Sequence, residues 1–429
     1  MVSIAKAKEM LLKGAMNDDI KYLYGADDSG IVKYLERFIR ILDGFAEEFG
    51  DEGDIVIVSA PGRTELGGNH TDHQKGNVLA GSVNLDVIGV ARPNGTKVVR
   101  AVSEGYPRSD VDLSDLTPKP DEINKTPALI RGIAASMASR GFEVEGFDAY
   151  MTSNVLGGSG LSSSAAYETA VGTIMNHFFC QDKLDPVEIA KIGQYAENIY
   201  FGKPCGLLDQ VAASVGGIVG VDFRNPEEPI VNKVEFNMEE CGYALCIIDT
   251  GGDHKELTGA YAAIPDEMGE IAGQFEKEFL REVPEEEFKS RIAELRNSCG
   301  DRAVLRAMHF YEENRRAVQE MEAIKDGRFE DFLKLANVSG NSSAKYLQNV
   351  WAGINLDRQE IVVALALAES LLEGEGSVRV HGGGFAGTIQ AFVPTAKLDE
   401  FKSKIEEVFG EDTCHVLKIR PAGGVVFIA

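Results

Sequence analysis

No apolar run in this 429-residue chain is long enough to cross a bilayer. Its first residues, Met1-Val-Ser-Ile-Ala-Lys-Ala-Lys8, lack the apolar stretch of a secretion signal. Both absences predict a cytoplasmic protein. The six cysteines (Cys180, Cys205, Cys241, Cys246, Cys299, Cys414) show no paired metal-ligand spacing and no dense framework, so reduced thiols are expected rather than disulfides or a zinc site. Basic residues are in deficit, 43 against 68 acidic ones, for a formal charge of -25 at pH 7. That balance opposes nucleic acid and anionic membranes as partners, and it requires any anionic ligand to be held by local donors or Mg²⁺. There is no internal repeat, no low-complexity segment and no signal for a scaffold, so a monomer or weak homo-oligomer is expected. Also missing is the phosphate-loop pattern Gly-x-x-x-x-Gly-Lys-Ser/Thr.

Elements of both types are present. Residues 4–16 and 29–49 read as amphipathic helices, the second with Ile31, Leu35, Phe38, Ile39, Leu42 and Phe45 on one stripe. Ile55-Val-Ile-Val58 reads as a buried strand ended by Ala60-Pro-Gly62. Residues 87–91 and 97–102 flank Asn94-Gly95, a hairpin signal. Helices are predicted over 127–140 and 186–200, and strands over 216–222 and 243–249. The Pro-rich acidic stretch 223–229 reads as a domain junction. Several helices follow between 265 and 372, and the last part is expected to pair 388–393 with 416–419 around a helix starting near Ala396. Length suggests two or three domains.

The most informative stretch is Asn154-Val-Leu-Gly-Gly-Ser-Gly-Leu-Ser-Ser-Ser-Ala-Ala166, lying between a strand-like segment (147–153) and a helical one (162–180). Glycines admit a phosphate to the backbone, and a helix start offers free N–H groups and a favourable dipole. Ser162, Ser163 and Ser164 add hydroxyls for phosphate oxygens or Mg²⁺. The bland alternative is a Gly-rich turn with a Ser N-cap.

Three further clusters carry chemistry. Residues 60–76 concentrate Arg63, His70, Asp72 and His73 in a polar Gly-rich stretch after a strand, suited to a polyol or, with a third ligand, to a metal. Glu197 and Asp209, twelve residues apart across a Pro-Cys-Gly turn, suit Mg²⁺ and a substrate hydroxyl; the alternative is a solvated helix Glu and an N-cap Asp. Val378-Arg-Val-His-Gly-Gly-Gly-Phe-Ala-Gly-Thr388 allows close approach of a ligand or another loop.

In order, Pro61-Gly-Arg63 with His70-Thr-Asp72, Gly158-Ser-Gly-Leu-Ser-Ser-Ser-Ala-Ala166, Cys205-Gly-Leu-Leu-Asp-Gln210 and Gly382-Gly-Gly-Phe-Ala-Gly387 resemble the motifs of the GHMP kinase superfamily, closest to its galactokinase branch. The resemblance spans roughly residues 54–429. It implies an α+β, two-domain fold with an N-terminal ribosomal protein S5 domain 2-like unit and a C-terminal ferredoxin-like unit, and an active site in the cleft between them. The expected divisions are a helical lead-in over 1–50, an ATP- and sugar-binding domain over 51–225 and a C-terminal domain over 226–429. The resemblance further implies Asp209 as catalytic carboxylate with Arg63 as its cationic partner. Gly158, Ser159, Gly160, Leu161, Ser162, Ser163 and Ser164 would hold ATP, Ser164 and Glu197 would hold Mg²⁺, and Asn69, His70, Asp72, Gly206 and Tyr261 would meet the sugar. His254, seven residues before Tyr261, has a spacing common in the family.

The pattern breaks at Asn69, where the branch usually has the Glu of Gly-Glu-His-Thr-Asp-Tyr, and at His73, where it has Tyr. It breaks again at Ala262-Ala-Ile264, which replaces an Arg pair. An amide could still bond a C6 hydroxyl, and losing the negative charge makes a C6 carboxylate less unwelcome. The resemblance therefore implies an ATP-dependent sugar 1-kinase acting on galactose. The alternatives are galacturonate, arabinose or N-acetylgalactosamine as substrate, or a non-catalytic sugar sensor.

Overall fold

The computed structural model describes residues 1–429 apart from Leu156, Gly158, Ser159, Glu235, 253–256, Ile354 and Ala386, and apart from the side chains of Glu239 and Thr258. Gly158, Ser159 and His254 among the expected site residues therefore lie outside the described residues.

A short strand, Val2–Ser3 (β1), leads into three helices, Ile4–Leu12 (α1), Asn17–Tyr24 (α2) and Ile31–Phe49 (α3). Their apolar stripes, including Ile20, Leu23, Phe38, Ile41 and Phe45, pack on Ile55, Ile57, Ile88 and Val90 of a sheet. The intervening strand residues Val56, Val58 and Ala60 face the main core on the other side. Successive strand residues point to opposite faces, so Ile55-Val-Ile-Val58 is apolar throughout because both faces are covered. The lead-in is thus a layer of the fold. A buried polar cluster fixes it in place: the Tyr24 hydroxyl donates to Asp86 Oδ2 at 2.6 Å, Arg37 Nη2 to the Asp86 carbonyl at 2.8 Å and Arg420 Nη1 to Asp86 Oδ2 at 3.1 Å. Burial opposes ionisation of Asp86, but the two arginines hold its pKa below the ordinary value.

Asp54–Gly67 (β2) and Asn77–Pro93 (β3) form the long central pair. β2 does not stop at Ala60. It runs on through a register shift between Pro61 and Arg63, the kind of irregularity that accommodates proline in a sheet, so Arg63, Thr64 and Glu65 are strand residues. The hairpin expected at Asn94-Gly95 does not form. Val98–Ser103 (β4) pairs with Ser109–Asp112 (β5) and, in parallel, with Phe147–Ser153 (β6), which lies between β3 and β4. Thr126–Ser139 (α4) supplies the crossover that parallel pairing requires. Buried Asp148 on β6 accepts from Arg100 Nε at 2.6 Å and from Asn94 Nδ2 at 2.9 Å, tying both neighbouring strands to it.

Next come Ser163–Phe179 (α5), Pro186–Tyr195 (α6), Leu208–Val215 (α7), Ile218–Asp222 (β7) and Ile230–Val234 (β8). β3 changes neighbours along its length, with residues 77–81 pairing with β7 and 87–93 with β6. β8 adds to β7, so the first sheet extends beyond the boundary expected at 225.

The remainder contains Tyr243–Asp249 (β9), Thr258–Gly273 (α8), Glu285–Ser290 (α9), Ile292–Ser298 (α10), Asp301–Lys325 (α11), Phe329–Ser342 (α12), Glu360–Leu372 (α13), Ser377–Val380 (β10), Thr388–Pro394 (β11), Leu398–Phe409 (α14), Cys414–Leu417 (β12) and Val425–Ile428 (β13). The second sheet has the order β10-β11-β9-β12, with every pair antiparallel. The expected direct pairing of 388–393 with 416–419 is replaced by β9 between them, because Leu245-Cys-Ile-Ile248 is fully buried and takes a central place. β13 leaves this sheet and pairs with β2 at residues 57–59. The unit expected over 226–429 is therefore not self-contained, since β8 and β13 belong to the first sheet. Among the described residues no helix is long and apolar enough to cross a membrane.

Candidate active site

Extension of β2 past Pro61 places Arg63 at the centre of the site. Its Nε donates to Asp209 Oδ1 at 2.6 Å and its Nη2 lies 2.5 Å from Oδ2, a bidentate pair. Arg63 Nη1 reaches the Gly160 carbonyl, and the Arg63 backbone N–H donates to the Leu161 carbonyl at 2.9 Å. One residue thus joins the Asp209 carboxylate to the Gly-Ser loop. The approach needs Gly62, where a Cβ would stand 2.7 Å from the Leu161 carbonyl oxygen. Ser162 precedes α5 in the left-handed region (φ 56°) and makes no side-chain capping bond, unlike the Ser N-cap of the bland reading. Ser163 is exposed at the helix start and Ser164 half-buried beside it. Asp209 lies in the first turn of α7 behind Leu207, so it is not that helix's N-cap.

Glu197 is likewise not a solvated helix residue. α6 passes into a π-helical turn, Ala196–Phe201, that leaves Glu197 2% exposed. Buried Gln210 donates through Nε2 to Glu197 Oε2 at 2.9 Å and to Glu168 Oε2 at 3.0 Å. Lys203 Nζ lies 3.4 Å from Glu197 Oε1. Burial, and after it the charge of Glu197, pushes the Glu168 carboxyl well above the usual carboxylate range. Glu168 and Gln210 were missed in the sequence, where Glu168 reads as one more helix-forming residue of α5.

The polar stretch 68–76 forms a tight loop. Thr71 Oγ1 bonds the carbonyls of Gly68 at 2.9 Å and Asn77 at 2.6 Å. A Cβ on Gly206 would come within 2.3 Å of Asp72 Oδ2, so the Asp209 motif and this loop are in direct contact. The third motif closes on the same loop. Asn69 Nδ2 donates to the Gly382 carbonyl at 2.7 Å, His70 Nε2 to that of Gly383 at 3.0 Å and the Tyr261 hydroxyl to that of Gly384 at 2.6 Å. Burial, then the neighbouring His73, lowers the His70 pKa to about 4. The ring is therefore neutral at pH 7, and with Nε2 donating to a carbonyl, Nδ1 carries a free lone pair. His73 Nδ1 lies 3.3 Å from Asp72 Oδ1. Among the described residues, no set of three or more His, Cys, Asp or Glu side chains is placed to hold a metal by itself.

Asn69 departs from expectation. It is fully buried and its amide is saturated within the protein: Nδ2 also donates to Glu65 Oε1 at 2.9 Å, and Oδ1 accepts from Ser343 Oγ at 3.1 Å and Asn349 Nδ2 at 2.9 Å. No donor or acceptor remains for a sugar hydroxyl. Glu65 also takes Arg379 Nη2 at 2.8 Å, and burial pushes its pKa up to about 7. His70, Ser162 and Phe385, in three of the four motif stretches, hold positive φ without being glycine, the kind of backbone strain that concentrates at working sites.

An Arg–carboxylate pair between a Gly-Ser helix start and a polar loop fits phosphoryl transfer, which depends on positioning and charge neutralisation. Residues 128–217 match the family described as GHMP kinases N terminal domain, and residues 43–93 match the galactokinase galactose-binding signature. Galactokinase of Mannheimia succiniciproducens is 30% identical over 384 residues, covering 86% of this chain and 93% of the relative. That of Limosilactobacillus fermentum is 29% identical over 386 residues, covering 87% and 94%. The solved Lactococcus lactis galactokinase complexed with galactose superimposes with a TM-score of 0.75 at 26% identity, covering 90% of this chain and 98% of that one. A mevalonate kinase at 16% identity and TM-score 0.60 shares the fold. The fold is that of a GHMP kinase, an ATP-using sugar-phosphorylating transferase. Within that class, the chain belongs to the galactokinase family.

Proposed function

We propose that the chain transfers the γ-phosphoryl group of ATP to the C1 hydroxyl of galactose. The observation that carries this reading is the position of Asp209, held bidentately by Arg63 between the Gly-Ser loop and the loop bearing His70 and Asp72. Asp209 orients the attacking hydroxyl and accepts its proton as the O–P bond forms, and Arg63 offsets the charge that develops. The start of α5 offers backbone N–H groups to the phosphates. His70 Nδ1, Asp72 and the Tyr261 ring are the candidate sugar contacts. The relatives named galactokinase, and the solved relative carrying galactose, support the choice of sugar.

The donor set fits Mg²⁺, a cation that keeps several waters and takes only one or two carboxylates besides phosphate oxygens. Glu197 Oε1 is met at 3.4 Å by an otherwise exposed lysine, and among the described residues Glu168 Oε1 in the same cluster has no hydrogen-bond partner, so a cation there would meet carboxyl oxygens with few competing donors. Glu197 and Ser164 would hold the ion, which would supply charge neutralisation on the phosphates.

Saturation of Asn69 favours a second reading, in which the far end of the sugar differs from galactose, as in galacturonate or arabinose. The deciding experiment is ADP release from the purified protein with Mg-ATP across galactose, galacturonate, arabinose, N-acetylgalactosamine and glucose, with mass detection of the sugar 1-phosphate. Preferred turnover of galactose supports the first reading, and preference for another sugar replaces it with the second. The absence of turnover on any of these sugars overturns both.

A further inference from the structure

Helix α11 carries His309, Glu313, Arg316 and Glu320 at spacings of four, three and four, a polar stripe along one helical face that is buried throughout. A buried carboxylate is costly unless donors surround it. Glu313 has four: Oε1 accepts from the backbone N–H groups of Gly68 at 3.1 Å and Asn69 at 3.2 Å and from Ser339 Oγ at 2.6 Å, while Arg316 reaches Oε2. One turn earlier on the helix, His309 Nε2 donates to the Asn69 carbonyl at 2.9 Å, and its Nδ1 accepts from Ser342 Oγ at 2.8 Å. A single helix face thus grips three backbone groups of two consecutive residues, the N–H groups of Gly68 and Asn69 and the Asn69 carbonyl. The next residue, His70, holds the left-handed conformation (φ 59°), and Asp72 follows two positions later. The elements that form the Gly-Ser loop, β6 and α5, make no part of this grip.

We propose that Glu313, with His309 as a second holding point, is a positioning residue that sets the backbone of the 68–72 loop and so aims His70 and Asp72 at the substrate. The proposal rests on the reading of that loop as the sugar site. Glu313 touches no reacting atom and acts only through the loop. Asn69 has the same function from the side-chain direction, since its amide joins the loop to Ser343, Asn349 and Gly382.

The test compares full-length wild type with Glu313→Met, which removes the acceptors at similar volume, and Glu313→Gln, which keeps one acceptor oxygen. Hydrogen exchange is followed by mass spectrometry on the unliganded proteins, and KM is measured separately for galactose and ATP. In Glu313→Met, exchange over 66–77 is expected to rise about tenfold or more while 147–179 is unchanged. KM for galactose should rise by about tenfold with KM for ATP within about twofold, as expected when a binding loop is misplaced away from the chemistry. Glu313→Gln should restore most of both. Unchanged exchange over 66–77, a uniform rise across the chain, equal changes in the two KM values, or identical behaviour of Met and Gln would each overturn the proposal. Should Glu313→Met not fold, His309→Phe, which removes the bonds to the Asn69 carbonyl and to Ser342 Oγ but leaves Glu313 in place, must show the same local loosening. If wild type phosphorylates no sugar, the functional reading fails, and the exchange measurement still decides whether Glu313 holds the loop.

Discussion

The two parts of the proposed site, the Gly-Ser loop with Asp209 and the 68–76 loop, are built by opposite means. On the proposed phosphate side, several groups stay partly open to solvent and strong charged contacts hold them: Asp209 is 32% exposed and paired with Arg63, while Ser163 and Gly160 are exposed and Glu197 alone of those named is buried. On the sugar side, the loop is anchored by residues buried beyond reach of any ligand, among them Asn69, Glu313, His309 and Ser343. An open site held by few contacts can change partners during a reaction. A loop saturated from behind can only present a fixed face. Chemistry and specificity are therefore separable in this molecule, and variants on the two sides should fail in different ways.

The largest expected effect is on the phosphate side. Asp209→Asn keeps the shape but loses the proton acceptor and the charge partner of Arg63, so kcat should fall about a thousandfold. ATP affinity, measured by calorimetry, should stay within about threefold, and the melting temperature should barely move. A kcat near wild type would remove Asp209 from the reaction. Asn69→Ala should do the reverse. It removes a partner from Ser343 and the Gly382 carbonyl and one of two partners from Glu65 and Asn349, which keep Arg379 and the Gly383 carbonyl, and leaving buried polar groups unmatched costs about 1–3 kcal/mol each, less whatever relaxation recovers. A stability loss of about 3 kcal/mol in denaturant unfolding is expected, with kcat under saturating sugar within about threefold. A collapse of kcat with stability intact would make Asn69 a substrate contact and erase the contrast.

The smallest effect sharpens the sugar side through pH. Burial raises the Glu65 pKa from 4.5 to about 7. The folded state then binds more protons than the unfolded state between those values, so this group contributes stability that is present at low pH and lost as pH rises through about 7. Glu65→Gln should remove that slope, so the stability difference between variant and wild type should shift in favour of the variant from pH 4.5 to 7 and level off above. A pH-independent difference would mean that Arg379 keeps Glu65 ionised throughout.

Legibility in the sequence followed the same division. Arg63, Asp209, Glu197 and the Gly-Ser loop stood out in the sequence as short, locally ordered patterns, and the structure brings Arg63, Asp209, Gly160 and Leu161 together. Strand β9 and helices α3, α4 and α5 were visible in apolar periodicity. The strand order was not. Asn94-Gly95 is a turn signal whatever strand follows it, and the pairing of β6 with both β3 and β4, to which the Asp148 contacts to Arg100 and Asn94 add, joins segments about fifty residues apart that no local pattern marks. Asn69 was read as a sugar contact because sequence shows a residue's chemical type and hides which neighbours already satisfy it. Glu313 lies on ordinary helical sequence and Gln210 at the end of a motif that does not mark its role, and their contacts reach partners more than two hundred and about forty residues away, respectively.

The last strand, β13, lies beside β2 at residues 57–59, just upstream of Arg63 on the same strand. During synthesis, β2 therefore leaves the ribosome long before one of its neighbours exists, and the edge it shows meanwhile is apolar and unpaired, open to strand addition by other chains. Completion of the first sheet must wait for β13, far along the chain from β2, which makes folding of this sheet long-range. Removal of residues 425–428 should accordingly be felt most in the yield of native protein recovered from cells.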